Sequence, residues 1–272
     1  MTYLVTGATG KAGRQVVDHL LAGGNKVRAL TRDPAKAAFP AGVEVVAGDL
    51  TVPESVPFDG VVGVHLITVG GDDYATLTTG AELAARASRA GVERVAVLWN
   101  GVPGPVEEAV EASDLAWTWL RPTDFMGNLL HWAPALRTSD EVREPFGDVP
   151  AAMVDESDVG AVSAEVLTSA DHAGKAYTLT GPEPLTPRQR LAALAAATGR
   201  DLRFVELTEE QARQRWLAQG MAPEMVDLLA GWQGNPPPHA YTVTGTVEAL
   251  LGRPPRSLRA WAADHADIFR RD

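Results

Sequence analysis

Three glycines spaced three apart, Gly7, Gly10 and Gly13, carry the clearest chemistry in this chain. They follow the apolar, β-prone run 3–6. They precede a helical pattern with Val16, Val17, Leu20 and Leu21 on one face. Strand, glycine-rich turn and helix, in that order, form a cradle for a pyrophosphate. Gly7 allows the tight turn, Gly10 lets the backbone approach the phosphates, and Gly13 lets the helix pack closely on the strand. The positive end of the helix adds electrostatic attraction. The spacing is GxxGxxG rather than GxGxxG, and a plain strand-to-helix turn is the competing reading. The flanking strand and helix favour a dinucleotide, with Gly7, Thr9, Gly10, Lys11 and Ala12 as contacts.

The elements that position this turn read as alternating strands and helices up to about residue 120. Strands are predicted at 26–30, 43–46, 60–67, 93–98 and 116–120, and helices at 73–90 and 106–113. The run 60–67 is continuously apolar, as suits a strand buried on both faces. Such alternation implies an α/β fold with a doubly wound parallel sheet of Rossmann type. Ligands of such sheets bind at the carboxyl ends of the strands. The tips to consider are therefore 7–13, 31–32, 48–50, 67–71, 99–102 and 121–128. Beyond 150 the pattern changes. Helices are predicted at 155–168, 187–198, 208–220 and 223–231, and strands at 176–180 and 202–206, with a Pro-rich break at 234–238. The expectation is a dinucleotide-binding domain over 1–150. A smaller, mostly helical part over 151–272 would cover the substrate. The boundary is soft, because a long helix after Asp124 fits either part.

The residue after the second strand reads the adenosine ribose. That strand ends at Leu30, and Arg32 lies 22 residues beyond Gly10. A guanidinium there grips a 2′-phosphate through two charge-assisted bonds, which favours NADP(H) over NAD(H). Asp33 argues the other way unless it caps the short helix opening at Pro34. A solvated surface charge is the competing reading of Arg32. Asp49 is placed to accept from the adenine amino group, or is a turn carboxylate, and Leu50 would cover the ring. Ile67 and Thr68, at the tip of the fourth strand, complete this set of cofactor candidates.

These segments together resemble the NmrA-like branch of the atypical short-chain dehydrogenase/reductase superfamily. The resemblance is carried by TGATGKAG at 6–13, LTRDP at 30–34, GDL at 48–50, WLRPTDFMGN at 119–128, DVG at 158–160, YTLTGPEPLT at 177–186 and the tail 243–269. It runs nearly end to end. It implies a Rossmann fold and a bound dinucleotide, with the backbone of Arg121, Pro122 and Thr123 lining the nicotinamide side. That superfamily branch holds NAD(P)H-dependent quinone, azo and dye reductases, tailoring enzymes of secondary metabolism, and redox-sensing regulators. Two departures stand out. Ordinary short-chain dehydrogenases use a Tyr with a Lys four residues on. Here the residues four beyond Tyr3, Tyr74, Tyr177 and Tyr241 are Gly7, Thr78, Gly181 and Gly245. Many relatives also carry Ser-Ser-Gly at the tip of the fifth strand, where this chain has Trp99-Asn100-Gly101.

Without the Tyr-Lys pair, the easiest hydride acceptors are those that delocalise the incoming electrons: quinones, enones, iminium groups and azo compounds. A simple ketone needs a donor for its developing alkoxide. Asn100 is one candidate donor, or else a turn asparagine. Asp124 is a candidate general acid if burial raises its pKa, or else the cap of the following helix. His131 lies seven residues further, two α-helical turns along the same face, as a candidate proton relay. Trp99, Phe125 and Trp132 are candidate walls for a planar substrate, with Asn128 beside them. Trp117 and Trp119 share one face of their strand and read as core. His65, inside the fourth strand, reads as packed.

The rest of the composition narrows the function by exclusion. The chain has 272 residues, 45% of them hydrophobic, with a net charge of −11 and no basic cluster, which argues against nucleic acid. It has no cysteine, and its six histidines lack metal-ligand spacing, so no disulfide, thiolate or metal site is expected. No run is long and apolar enough to span a membrane, and a strand begins at residue 2, so a cytoplasmic protein is expected. The reading is an NADPH-dependent reductase of a hydrophobic, conjugated small molecule. Its alternatives are a non-catalytic dinucleotide sensor and a non-redox tailoring enzyme, such as a cyclase or isomerase, that retains the dinucleotide site.

Overall fold

The computed structural model describes residues 1–71, 74–101 and 103–271. Asp73, the expected start of a helix, and Val102, the end of one expected tip, lie outside the described residues. Along the chain run β1 (Thr2–Val5), α1 (Lys11–Ala22), β2 (Lys26–Thr31), β3 (Val43–Ala47) and β4 (Val61–Ile67). Next come β5 (Val69–Gly70), β6 (Ala75–Thr76), α2 (Gly80–Arg89), β7 (Arg94–Leu98), α3 (Pro105–Glu111) and β8 (Ala116–Pro122). They are followed by α4 (Ala133–Thr138), β9 (Glu141–Glu144), α5 (Glu156–Thr168), β10 (Lys175–Leu179), α6 (Pro187–Thr198) and β11 (Arg203–Glu206). Then α7 (Glu209–Ala218), α8 (Pro223–Gly234), α9 (Thr246–Leu251) and α10 (Leu258–Asp264) lead to the C-terminus.

Two compact units emerge, and they interleave along the chain. The first comprises Met1–Pro122, Glu156–Leu179 and Thr246–Arg253; the second holds Thr123–Asp155, Thr180–Gly245 and Pro254–Asp272. The division expected at residue 150 is therefore replaced by one that threads back and forth. The reason lies in β10 and α5. β10 pairs with β8 as the seventh strand of the main sheet, and α5 packs against α1. A side chain at Gly160 of α5 would lie 2.6 Å from the Gln15 backbone, so this helix pair needs a glycine.

The first unit is a seven-stranded parallel sheet in the order β10-β8-β7-β4-β1-β2-β3. The strand order reverses between β1 and β4, which makes the fold doubly wound. On one face of the sheet, Leu4, Leu30, Val64, Leu66, Val95, Val97 and Trp119 join α2 and α3 in a single core. Trp117 packs against it, its ring 5.7 Å from that of Trp119, as alternation along a strand requires. α1 buries Val16, Val17 and Leu20, whereas Leu21 is only half-buried. His65 is fully buried in β4, with Nδ1 2.8 Å from Ser163 Oγ, and burial lowers its pKa to about 4. It is a packed, neutral histidine. The helix expected from 73 begins only at Gly80. Residues 75–76 instead pair antiparallel with 69–70, a turn that the glycines at 70–71 and the β-branched Thr76 favour.

The second unit has its own core, including Met126, Leu129, Trp132, Leu136, Val142, Leu191, Leu194, Trp261 and Phe269. A smaller cluster joins α7 to α8 through Ala212, Trp216, Val226 and Ala230. Its two-stranded parallel sheet, β9 with β11, contains a strand the sequence did not suggest. β9 reads Glu-Val-Arg-Glu, and a single buried Val142 leaves no hydrophobic period to detect. The long helix expected after Asp124 is instead a 3₁₀ stretch, Met126–Trp132, followed by the six-residue α4. Gly127 weakens an α-helix there, and Pro134 fits the first turn of a new one.

Candidate active site

The glycine turn is tied down from both sides. The Thr6 hydroxyl donates to His65 O (2.9 Å) and accepts from Ile67 N (3.0 Å), joining the carboxyl ends of β1 and β4. Gly7 has φ +58°, and its carbonyl accepts from Gly10 N at 2.9 Å. A side-chain carbon at Gly13 would stand 2.2 Å from that carbonyl, and one at Gly7 would stand 2.9 Å from Ile67 Cδ1. Gly10 is extended and opens α1 without a capping side chain or an acid in the first turn. Thr9, Gly10 and Lys11 are exposed, and Ala12 is buried beneath them. At the end of β4, Thr68 is 1% exposed and its Oγ1 has no partner among the described residues. A backbone cradle at a positive helix end, beside a buried hydroxyl with hydrogen-bonding capacity to spare, fits the pyrophosphate of a dinucleotide.

At the adenosine end, Arg32 is exposed just past β2. Asp33 caps the 3₁₀ turn Pro34–Lys36, accepting from Ala35 N at 3.2 Å, and its other oxygen is 2.9 Å from Lys36 Nζ. Asp49 Oδ1 accepts from the Thr51 amide and hydroxyl, both at 2.8 Å, so this oxygen serves its own turn. Leu50, expected to cover the adenine, is 6% exposed and sits in the core. Sequence alone does not separate an apolar residue covering an edge from one beneath it. Arg14 went unnoticed: its guanidinium donates to Ala38 O and lies 4.8 Å from the Phe39 ring, bringing positive charge to the loop that follows β2. Its signal was a lone basic residue directly after the third glycine.

Further along the same sheet edge, Trp99 extends β7 by one residue, its amide donating to Leu120 O at 2.9 Å. Asn100 beside it is exposed, and Pro122 closes β8. Arg121 Cζ lies 5.2 Å from the Trp99 ring and 4.7 Å from the Trp119 ring. Glu107 in α3, which the sequence did not single out, is 1% exposed, and burial raises its carboxyl pKa. Tyr3 is buried in the core, and Tyr177 bonds His172 Nδ1 at 2.8 Å.

The second unit gathers the remaining candidates into a polar cluster. Asp124 Oδ1 accepts from Phe125 N (2.9 Å) and Asn128 Nδ2 (2.8 Å). Burial pushes this carboxyl above its ordinary range, against the pull of the Arg190 charge and the Asn128 bond. Asp124 thus bonds the adjacent amide and an asparagine rather than capping a regular α-helix. His131 Nδ1 lies 2.5 Å from Asn128 O, and Nε2 lies 3.1 Å from Glu144 Oε1. Both partners are acceptors, so the doubly protonated ring satisfies both. Burial opposes that charge, but the Glu144 and Asn128 bonds win and raise the His131 pKa. Burial likewise works against the Glu144 carboxylate, yet His131 and Arg215, whose Nη2 is 2.7 Å from Oε2, lower its pKa. The 3₁₀ geometry, three residues per turn, moves His131 off the face of Asp124 that an α-helix would have shared. Glu144 was missed because it lies in the unpredicted β9. The Thr123 hydroxyl donates to Ala152 O at 2.6 Å, and Phe125 is half-buried. Trp132 is 4% exposed and packs in the core of this unit.

No group of acidic residues and histidines among the described residues could hold a metal, and no described helix is long and apolar enough to cross a membrane. The parallel sheet, the glycine turn and the helix it opens define a dinucleotide-binding protein of Rossmann type. The NmrA-like family model matches residues 1–105. Over 98% of both chains, the sequence is 37% identical to the (4-alkanoyl-5-oxo-2,5-dihydrofuran-3-yl)methyl phosphate reductase of Streptomyces griseus. The chain belongs to the NmrA-like family. It is also 34% identical, over 98% of both chains, to an NAD(P)H azoreductase of Xenophilus azovorans. In fold it matches the NADPH-dependent quinone oxidoreductase of Escherichia coli, solved with NADPH, with a TM-score of 0.80, 24% identity, and coverage of 97% of this chain and 99% of that one.

Proposed function

We propose that this NAD(P)H-dependent oxidoreductase uses NADPH to reduce a hydrophobic, conjugated small molecule. The observation that carries the reading is the pairing of the glycine cradle with Arg32 at the end of β2, while the neighbouring Asp33 is engaged by its own turn. A carboxylate so occupied leaves the ribose position to the guanidinium, which suits a 2′-phosphate. When bound, NADPH supplies the hydride. Gly7, Gly10 and the first turn of α1 hold the phosphates, and Ile67 and Thr68 line the end of β4. The relatives' named substrates, an oxo-dihydrofuran phosphate and azo compounds, have delocalised acceptors that need little help from an acid, consistent with a chain that lacks Tyr-x-x-x-Lys. In this reading Asn100, just past β7, donates to a developing oxyanion.

The relatives named as reductases favour turnover over the sensing or non-redox alternatives. The test is calorimetric titration with NADPH and NADH, followed by a 340 nm assay against quinones, enones and azo dyes. Tighter binding of NADPH and its oxidation by at least one acceptor are expected. Arg32→Ala should weaken NADPH by about 10- to 100-fold and NADH by far less, as the loss of charged hydrogen bonds implies. Equal losses for both cofactors would overturn the 2′-phosphate role, and binding without turnover of any acceptor would overturn the reductase reading.

A further inference from the structure

We propose that Arg121 anchors an oxyanion of the substrate, a phosphate or carboxylate, at the carboxyl end of β8. Cations of this acidic chain, with 24 Lys and Arg against 35 Asp and Glu, readily find carboxylates. Arg28 lies 3.0 Å from Glu44, and Arg213 reaches both Glu209 (2.7 Å) and Asp227 (2.6 Å). Arg121 has no such pair among the described residues, and its buried Nε has no acceptor there. It rests instead on two indoles. β7 and β8 pair Val97 with Trp119, so the next residues on that face are Trp99 and Arg121. The indole Nε1 atoms of Trp99 and Trp119 are likewise buried without an acceptor. One side-chain cluster therefore holds three buried N–H donors with no acceptor among the described residues.

Of the Arg121 nitrogens only Nε is in this enclosed set, so the terminal amines of a side chain that carries donors alone are what an acceptor-only ligand would meet. The guanidinium carbon lies within cation–π range of both rings, and a guanidinium so placed keeps the planar fork of N–H groups that binds an oxyanion with two bonds. Contact with the indoles also orders the side chain and removes water from it, which strengthens the attraction. The position separates this role from that of the cofactor phosphates. β8 lies three strands from β1, about 14 Å from the glycine turn at ordinary strand spacing.

The turnover part of the test rests on the reductase reading; the binding part does not. The probes are methyl red, an azo dye carrying a carboxylate, and its methyl ester, each with NADPH. The wild type should prefer the carboxylate. Arg121→Gln should lower the ratio of kcat/KM for acid over ester by about tenfold or more, with Arg121→Lys in between because it keeps charge but loses the fork. Calorimetry with methyl red and NADP+ should show the same selective loss of affinity, which misfolding would not produce. If the wild type reduces neither dye, the reductase reading fails for azo acceptors and calorimetry alone decides. No preference of the wild type for the acid, an equal loss for both dyes, or weakened NADPH binding in place of weakened dye binding would overturn the proposal.

Discussion

The glycine turn of the first unit and the polar cluster of the second handle charge in opposite ways. The turn is made of backbone and of side chains left out: a carbon at Gly13 has nowhere to go, and the adjoining His65 is held neutral by burial. Its electrostatics come from peptide dipoles, which do not titrate. The cluster around Glu144 is made of ionised side chains that fix one another's protonation. A site made of peptide groups should fail sterically and ignore neutral pH. One made of ion pairs should tolerate small changes and respond to pH.

The largest expected effect is steric. Gly13→Val drives a side chain into the Gly7 carbonyl, and overpacking of this kind costs about 3 kcal/mol. Calorimetry should detect no NADPH binding, and urea unfolding should show the stability loss; retained binding would break the contrast. The second effect comes from His65. Its folded pKa is depressed, so the stability it provides is present above the unfolded value of 6.5 and fades as pH falls toward about 4. The span is worth about 3 kcal/mol at most. Urea midpoints at pH 7 and pH 5 should therefore differ more in the wild type than in His65→Gln, and equal differences would assign the acid sensitivity to other groups. The smallest effect belongs to His131. Its folded pKa is raised, so its contribution is complete below pH 6.5 and is lost as pH rises through the folded value. The side chain is 58% exposed, which holds the effect below about 1 kcal/mol. Glu144→Gln should lower the His131 pKa measured by NMR titration, and an unchanged value would show that Asn128 alone sets it.

The same contrast explains what was legible in the sequence. Gly7, Gly10 and Gly13 could be read because a backbone cradle imposes residue types at fixed spacing, and the central strands β1, β4 and β7 because both their faces are largely buried and apolar. Arg32 and Asp33 could be read as alternatives, and the structure shows Asp33 in the capping geometry expected of it. The polar cluster was only half visible. Asp124 and His131 were singled out, but Glu144 lies 13 residues beyond His131 in the unpredicted β9 and Arg215 a further 71 on in α7, and no local period links them. The 3₁₀ turn at 126–132 also altered the face relationship on which the Asp124–His131 pairing rested. Leu50 and Trp132 are both buried in cores, and an apolar residue at such a position reads identically in the sequence whether it packs only against protein or also lines a ligand.

The interleaving of the two units bears on synthesis. The chain passes from one unit to the other at 122/123, 155/156, 179/180, 245/246 and 253/254. During translation β8 emerges well before β10, the strand that covers its outer edge. Until residue 179 has left the ribosome, the sheet carries an open edge of the kind that recruits other chains. A fragment ending at residue 150 would keep that edge permanently and would also lack α5, the cover for α1. Neither unit is a cassette that can be moved by a single cut, so a chimera with a relative would have to exchange three segments together.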